Sequence, residues 1–417
     1  MSSLAFSILF VVFLALTVSV RFWLASRHIR HVLKHRHAVP AQFAEKIPLA
    51  AHQKAADYTV ARTKFGLVML MVNTIVLVSF TLLGGLQWLS AALLSTFDSG
   101  MVYQIALLAA FALISGIIDL PFDYYRHFKL EARFGFNKMT PKLFFSDLVK
   151  STVLGVAIGL PLVWVILYLM ESAGDLWWLY AWFVWCGFQL LMLVLFPTVI
   201  APMFNKFTPL EDDSLRARIE NLMQRVGFAS KGLFVMDGSK RSAHGNAYFS
   251  GFGAAKRIVF FDTLLQRLAP QEIEAVLAHE LGHFKLKHII KRIVVIFSLS
   301  LALLALLGFL KTQPWFYAGL GVHPVYHASN AMALLLFMLA LPVFTFLLSP
   351  LTSISSRKHE FEADAFAAKH ANAQDLVSAL VKLYEDNAST LTPDPIHSAF
   401  YDSHPPATLR INRLLAS

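Results

Sequence analysis

The sequence predicts a predominantly α-helical, polytopic membrane protein with about seven transmembrane helices and a smaller polar α+β region. Two observations carry this prediction. Hydrophobic residues make up 57% of the 417 positions and charged residues only 15%, whereas soluble proteins carry roughly 25% charged residues. The mean hydropathy is +0.58, and the apolar residues cluster into runs near the roughly 20 residues that a helix needs to cross a bilayer.

The apolar runs set the domain organisation that we predict. They lie near residues 3–25, 65–96, 101–122, 151–172, 176–202, 289–311 and 328–350. The second run is longer than one crossing requires, so its helix is expected to tilt or to project beyond the membrane. We therefore predict an N-terminal membrane region over 1–205 with about five helices. A second region over 206–417 would combine the polar segments with the last two transmembrane helices.

Charge in the loops predicts the orientation of the chain. The net charge is +10, and the basic residues concentrate in the first and third loops, as is typical of cytoplasmic loops. This places 203–288 and 351–417 in the cytoplasm. It also explains the positive net charge without a nucleic-acid partner, and none is expected. The basic segment RHIRHVLKHRH (27–37) is expected to face anionic lipid headgroups. Asp119 is an intramembrane acid that could face a polar cavity or the interface.

The polar segment 203–288 reads as a mixture of helices and short strands. TPLEDDSLRARIENLMQRVGF (208–228) predicts an amphipathic helix with Thr208 and Glu211 as a capping box and Pro209 in the first turn. Three β-like runs follow: LFVMDG, NAYFSGFG and RIVFFDTL. Pro270 is then expected to open a helix that runs toward the sixth membrane segment.

That last helix carries HELGH (279–283). Residues four apart share one helix face, so His279 and His283 can bind the same metal ion. Glu280 can reach a metal-bound water without being a ligand and is the candidate general base. The alternative is a helix with two ordinary surface or core histidines.

A catalytic zinc ion needs a third protein ligand and an open position for water. Glu360, in SRKHEFEADAFA, is the candidate, and Asp364 one turn later could accept the remaining N–H of a ligating histidine. Glu362 lacks the four-residue spacing to Asp364, and His288 is expected to face away from the zinc ion. The single cysteine, Cys186, excludes a thiolate-rich site. We therefore predict one zinc ion per chain and a zincin-like catalytic region that faces the cytoplasm.

With these motifs in place, the chain resembles the type-1 CAAX prenyl endopeptidases, a family of seven-helix membrane zinc proteases. HELGH, SRKHEFEADAFA and YDSHPPATLR match that family, as do EARFGFNKMT (131–140), MFNKFTPLEDDSLRARIE (203–220) and HGNAYFSGFGAAKRIVFFDTLL (244–265). The resemblance implies that His279, His283 and Glu360 bind zinc and that Glu280 is the general base. It also implies removal of the last three residues of prenylated C-termini.

Four further residues are candidates for contacts with the substrate. Asn246 and Ala247 begin a run that could pair with an extended peptide as an added strand, although an ordinary hairpin is an equal reading. His404 could stabilise an oxyanion, and Arg410 could bind a terminal carboxylate. A turn and a surface arginine are the alternatives for that pair.

The predicted partners are the lipid bilayer and a peptide or protein substrate, possibly prenylated and tethered to the membrane. A quality-control protease with unprenylated substrates is the first alternative, since the zinc motif is the same. A metal or solute transporter would require polar residues inside several membrane helices, and an inactive scaffold would have lost a ligand or the base. We expect a bacterial member in the inner membrane, with the endoplasmic reticulum as the alternative.

Overall fold

The computed structural model describes residues 1–230, 232–250, 257–323 and 327–416. Long apolar helices dominate the first half of the chain. They are α1 (Ser3–Lys34), α2 (Leu49–Phe80), α3 (Gly85–Leu94), α4 (Met101–Tyr125), α5 (Pro141–Ser172), α6 (Trp177–Leu195) and α7 (Ala201–Phe204). A π-helical turn extends α4 through Arg126–Glu131, and another joins α6 to α7 over Phe196–Ile200.

The second half contains the strands and the polar helices. The strands are β1 (Phe207–Pro209), β2 (Leu233–Met236), β3 (Ala247–Ser250) and β4 (Arg257–Phe261). The helices are α8 (Asp213–Arg225), α9 (Asp262–Arg267), α10 (Pro270–Lys285), α11 (His288–Leu310), α12 (Pro314–Gly319), α13 (Asn330–Thr345), α14 (Ser349–His370), α15 (Ala373–Asp386), α16 (Pro395–Tyr401) and α17 (Ala407–Leu415).

Seven helical segments among the described residues are long and apolar enough to cross a membrane, which confirms the predicted class. The second segment differs from the prediction, because one helix does not continue through 65–96. It ends at Phe80, and Gly84 then adopts the left-handed conformation (φ 77°) that glycine tolerates best. A separate short helix, α3, follows. The excess length therefore lies before residue 65, where α2 starts at Leu49.

The capping box predicted for 208–211 is wrong. Thr208 and Pro209 lie in β1, which runs antiparallel to β2, and Thr208 is paired with Val235. The helix starts later, at Asp213, with the Asp212 carboxylate accepting the backbone N–H of Leu215. Pairing with β2 therefore overrides a local helix-start signal.

The strands form one sheet in the order β1-β2-β4-β3, in which β2 and β4 are parallel and the other pairs are antiparallel. The register sets Ala247 opposite Phe260, so β3 is an edge strand of the described sheet. The prediction of a strand in NAYFSGFG holds for Ala247–Ser250, and its last three residues (251–253) lie outside the described residues.

The two largest of four apolar clusters among the described residues hold most of these elements together. One lies among the membrane helices and joins residues from α1, such as Phe10, to residues from α13, such as Met332. The other packs the sheet against α8, α10, α15 and α17 and includes Ile219, Phe260 and Leu277. Because the first core uses helices from both halves of the chain, the predicted division at residue 205 stays a prediction.

Part of the basic segment 27–37 contacts protein, while Arg30 and Lys34 are exposed, so the expected contact with headgroups stays a prediction. Arg27 donates to the Asp394 carboxylate at 2.8 Å, and the rings of His28 and His397 stack 3.9 Å apart. The segment thus fixes the start of α16 against α1. Asp119 is partly buried in α4 and makes no ion pair with a described residue.

Candidate metal centre

The helix that carries HELGH, α10, is fixed by local contacts at its start. Pro270 occupies its first turn, where a missing N–H costs nothing. The Glu272 carboxylate accepts the backbone N–H of Ala269 at 2.7 Å and also binds Ser378 and Lys382 of α15. These contacts anchor the start of α10 to α15.

The predicted ligands come together at one point. The Nε2 atoms of His279 and His283 lie 3.2 Å apart. Glu360 reaches them from α14, with Oε2 3.5 Å from His279 Nε2 and Oε1 3.4 Å from His283 Nε2. All three ligand atoms fall within 4.8 Å of one another.

Gly282, a residue that the sequence analysis did not single out, allows α10 and α14 to approach this closely. A Cβ atom at this position would lie 3.1 Å from both Ala363 Cα and Phe366 Cβ. The signal was present in the sequence, because a glycine inside a helix commonly marks close packing or a functional requirement.

The donor set fits a divalent metal ion. Two imidazoles and one carboxylate form a known catalytic zinc set, and Glu360 Oε2 is buried without a hydrogen-bond partner. Burial lowers the pKa of His279, but the neighbouring carboxylates of Asp364 and Glu360 outweigh it and raise this pKa to about 9. The surrounding carboxylates therefore favour positive charge at the place where the ligand atoms converge.

Asp364 lies behind His279, as its spacing from Glu360 predicts. Its Oδ1 is 2.9 Å from His279 Nδ1, which fixes the ring and leaves Nε2 facing Glu360. Arg410 of α17 also binds Asp364, through Nη2 at 2.6 Å and Nε at 2.8 Å. Burial alone would lower the pKa of Arg410, but the bonds to Asp364 raise it.

Arg410 therefore occupies a different place from the one expected for a substrate contact. It is 5% exposed, and its guanidinium is engaged by Asp364, with Nη1 3.8 Å from Glu360 Oε2. It balances the carboxylates behind the metal centre and is not available to a peptide terminus.

His288 does not reach the point where the ligand atoms converge, but it contacts His283 from the side opposite Nε2. Its Nδ1 lies 3.0 Å from Nδ1 of His283, and its Nε2 lies 2.9 Å from Glu362 Oε2. The cause is a break in the helix at Lys287, which has a positive φ of 58°. Because α10 and α11 are separate helices, spacing along one continuous helix does not predict this contact.

His404 and Glu280 complete the surroundings of the metal centre. His404 precedes α17, with Nε2 3.4 Å from Glu360 Oε1 and Nδ1 3.0 Å from the Ser403 hydroxyl. Its side chain is 60% exposed, so one side remains open to a ligand. Glu280 follows His279 on α10 and is partly buried.

Asn246 and Ala247 lie at the start of the edge strand. The Asn246 carbonyl accepts the backbone N–H of Phe261 at 3.0 Å, and its side-chain oxygen accepts that of Ala247 at 2.9 Å. The strand is thus held on its β4 side, in a position where an extended peptide could add to the sheet.

Comparisons with known proteins agree with this geometry. Residues 28–206 match the model of the CAAX prenyl protease N-terminal region with five membrane helices, and residues 209–417 match Peptidase family M48. CAAX prenyl protease 1 of Saccharomyces cerevisiae is 36% identical over 90% of this chain and 88% of its own length. A homologue from Arabidopsis thaliana is 37% identical, over 87% of both chains.

The relationship extends to a mammal and to a solved structure. The mouse CAAX prenyl protease 1 homologue is 31% identical over 94% of this chain and 91% of its own length. The crystal structure of S. mikatae Ste24p superposes with a TM-score of 0.91 and 31% identity, covering 99% of this chain and 100% of that one. These relatives are eukaryotic, so they do not support the expected bacterial source. The chain belongs to peptidase family M48, as a multi-pass membrane metalloprotease of the CAAX prenyl protease type.

Proposed function

We propose that this protein is a zinc endopeptidase that removes the last three residues from prenylated CAAX C-termini. The observation that carries the proposal is the convergence of His279, His283 and Glu360 beside Glu280, in a chain with seven candidate membrane spans. The names of the relatives support this substrate class, and the peptidase relationship does not support transport. One zinc ion per chain is expected, held by those three residues.

The residues around the centre suit peptide hydrolysis. His279, His283 and Glu360 would hold the zinc ion, which would supply Lewis-acid activation of a scissile carbonyl and of a bound water, lowering the pKa of that water toward about 7. Glu280 accepts the proton of the attacking water and passes it to the leaving amine. His404 offers a donor to the developing oxyanion, while Asp364 and Arg410 hold His279 and Glu360 in place.

Strand addition would position the substrate. An extended peptide lying along the edge of the sheet at Asn246 and Ala247 would be fixed by main-chain hydrogen bonds. Its scissile carbonyl could then be held against the metal centre while the membrane anchor stays among the helices.

The decisive experiment compares a farnesylated C-terminal peptide with its unmodified twin, using purified enzyme in lipid vesicles. Glu280→Gln should keep its zinc and lose about 10²- to 10⁴-fold in kcat, the usual contribution of a general base. Glu274→Gln is the matched control, because it makes the same chemical change on the same helix, at a residue that pairs with Arg218 and Arg225 instead.

Each outcome has a defined meaning. A Glu280→Gln enzyme that cuts at the parent rate removes Glu280 from the mechanism. Equal cleavage of the two peptides by the parent favours the alternative of a quality-control protease without lipid specificity.

We further propose that the protein resides in the endoplasmic reticulum membrane with its metal centre on the cytoplasmic side. The eukaryotic relatives support the compartment, and the basic first and third loops support the orientation. In a Cys186→Ala background, Glu211→Cys should react with a membrane-impermeant maleimide added outside sealed microsomes. Labelling only after the membrane is opened would reverse the proposed orientation.

A further inference from the structure

A cavity of about 910 Å³ lies between the N-terminal membrane helices and the segment that carries His404. Its lining includes Arg21 of α1, Arg62 of α2, Tyr401 and His404. His404 Nε2 is also 3.4 Å from Glu360, so the cavity adjoins the metal centre at His404. A peptide held at that centre could extend into it.

Arg21 is a charged residue inside a candidate membrane span, Ser3–Lys34. It makes no ion pair with any residue that the structure describes, and its Nε is buried without a hydrogen-bond partner. Intramembrane charges of this kind are costly and commonly mark ligand sites. Asp402 lines the same cavity, but no ion pair joins it to Arg21.

Packing holds the Arg21 side chain in position. Its guanidinium lies 4.1 Å from the centre of the Phe346 ring, and that ring packs against Phe400 and Tyr401 of α16. His404 follows α16 in the chain, so the packing of Arg21 and Phe346 against α16 places Arg21 near the segment that reaches the metal centre. A preorganised guanidinium fork is well suited to a carboxylate.

The other cations near the centre are already engaged. Arg410 is held by Asp364. Arg62 lies 5.3 Å from the centre of the Tyr58 ring, and the Tyr58 hydroxyl donates to Glu131 at 2.8 Å. Arg62 also interacts electrostatically with Glu131, whereas no described carboxylate forms an ion pair with Arg21.

We propose that Arg21 binds the C-terminal carboxylate of the peptide substrate, in the cavity that joins α1 to the metal centre. The proposal rests on the proposed function and adds to it a subsite that selects free C-termini. It would favour substrates with a free C-terminus, because the cavity that holds the carboxylate adjoins the metal centre at His404.

The test measures binding of two farnesylated peptides that differ only in ending as a free acid or as an amide. Binding is measured in vesicles on zinc-loaded Glu280→Gln protein, so that cleavage does not interfere. We expect the acid to bind about 10- to 100-fold more tightly, as is usual for a hydrogen-bonded charged group. In Arg21→Met, which keeps an apolar contact with Phe346, this preference should fall to within about threefold.

Arg30→Met is the matched control, because Arg30 is exposed on the same helix and does not line the cavity. It should retain the preference of the parent. Arg21→Gln serves the same purpose if the methionine variant does not fold, as judged by thermal unfolding. The proposal is overturned if the folded Arg21 variant keeps the preference for the acid, or if the parent shows no preference. If Arg21 instead binds an anionic lipid, the variant keeps the preference, and this result also overturns the proposal.

Failure of this subsite and failure of the proposed function are distinguishable. A parent enzyme that cuts the farnesylated peptide but treats acid and amide alike keeps the function and loses the subsite. A protein that binds the acid through Arg21 and cuts neither peptide keeps the subsite and loses the function.

Discussion

Two clusters built from the same residue types meet where α10, α11 and α14 come together, and only one of them is arranged for a metal ion. The first is His279, His283 and Glu360, and the second is His288, His359 and Glu362. In the first, the histidine rings are nearly perpendicular, at 80°, and their Nε2 atoms converge on one carboxylate. In the second, the rings of His288 and His359 stack at 4.1 Å and 14°.

Ring orientation explains the difference in chemistry. A metal ion binds an imidazole along the nitrogen lone pair, in the plane of the ring. Two nearly parallel stacked rings hold their lone pairs in separate planes, so these lone pairs do not meet at one point. The second cluster therefore supports the first: His288 hydrogen-bonds to His283 on one side and to Glu362 on the other. Residue type alone does not separate a metal site from its support.

The largest expected effect comes from replacing Glu360 and Glu362 by glutamine, one at a time. Glu360→Gln should lose the metal ion and at least about 1,000-fold in peptidase activity, since a catalytic metal supplies several kcal/mol. Glu362→Gln, the same change two residues away, should retain the metal ion. Metal content by mass spectrometry and cleavage of the farnesylated peptide measure both. Equal loss of metal in the two variants would mean that both clusters bind metal.

A smaller effect is expected behind the first cluster. Asp364→Asn removes the carboxylate that orients His279 and should weaken zinc affinity by about 10- to 100-fold, measured by chelator competition. It also leaves the buried Arg410 without its partner, which should cost about 3–5 kcal/mol in the free energy of unfolding.

Arg410→Met is the companion variant to Asp364→Asn, since it breaks the same pair but leaves the carboxylate on His279. It should lower stability by a similar amount and zinc affinity by less. If zinc affinity does not change in Asp364→Asn, the role of Asp364 in orienting His279 is wrong.

The first cluster could be predicted from the sequence, and the second could not, for a physical reason. His279 and His283 share one uninterrupted helix, so their spacing fixes their direction. The pairing of Glu360 with Asp364 follows from the same rule on α14. The position of His288 depends on Lys287, a residue with positive φ that no local pattern announces.

Long-range contacts account for the other differences. Thr208 and Pro209 carry a helix-start signal, yet they pair with β2. The sequence alone does not distinguish Arg410 from a surface arginine. In the structure, α17 packs it against Asp364. The membrane helices were predictable because their length and apolarity are local properties, while the break at Gly84 interrupts an otherwise continuous apolar run.

The smallest expected effect tests the link between the clusters. A metal ion bound to Nε2 of His283 leaves the ring proton on Nδ1, which can then donate to His288 Nδ1 at 3.0 Å. His288 must in turn carry its proton on Nε2, where it donates to Glu362 at 2.9 Å. His288→Phe should therefore weaken zinc affinity by about 10-fold, the lower end for a residue that orients a ligand.

His359→Phe is the control for His288→Phe, since it removes an imidazole from the same stack without touching His283. It should leave zinc affinity within about twofold of the parent, because the His283–His288–Glu362 chain stays intact. Chelator competition measures both variants under the same conditions. If His359→Phe weakens zinc as much as His288→Phe, the stack matters only as packing, and the proton-ordered chain from Glu362 to His283 does not orient the ligand.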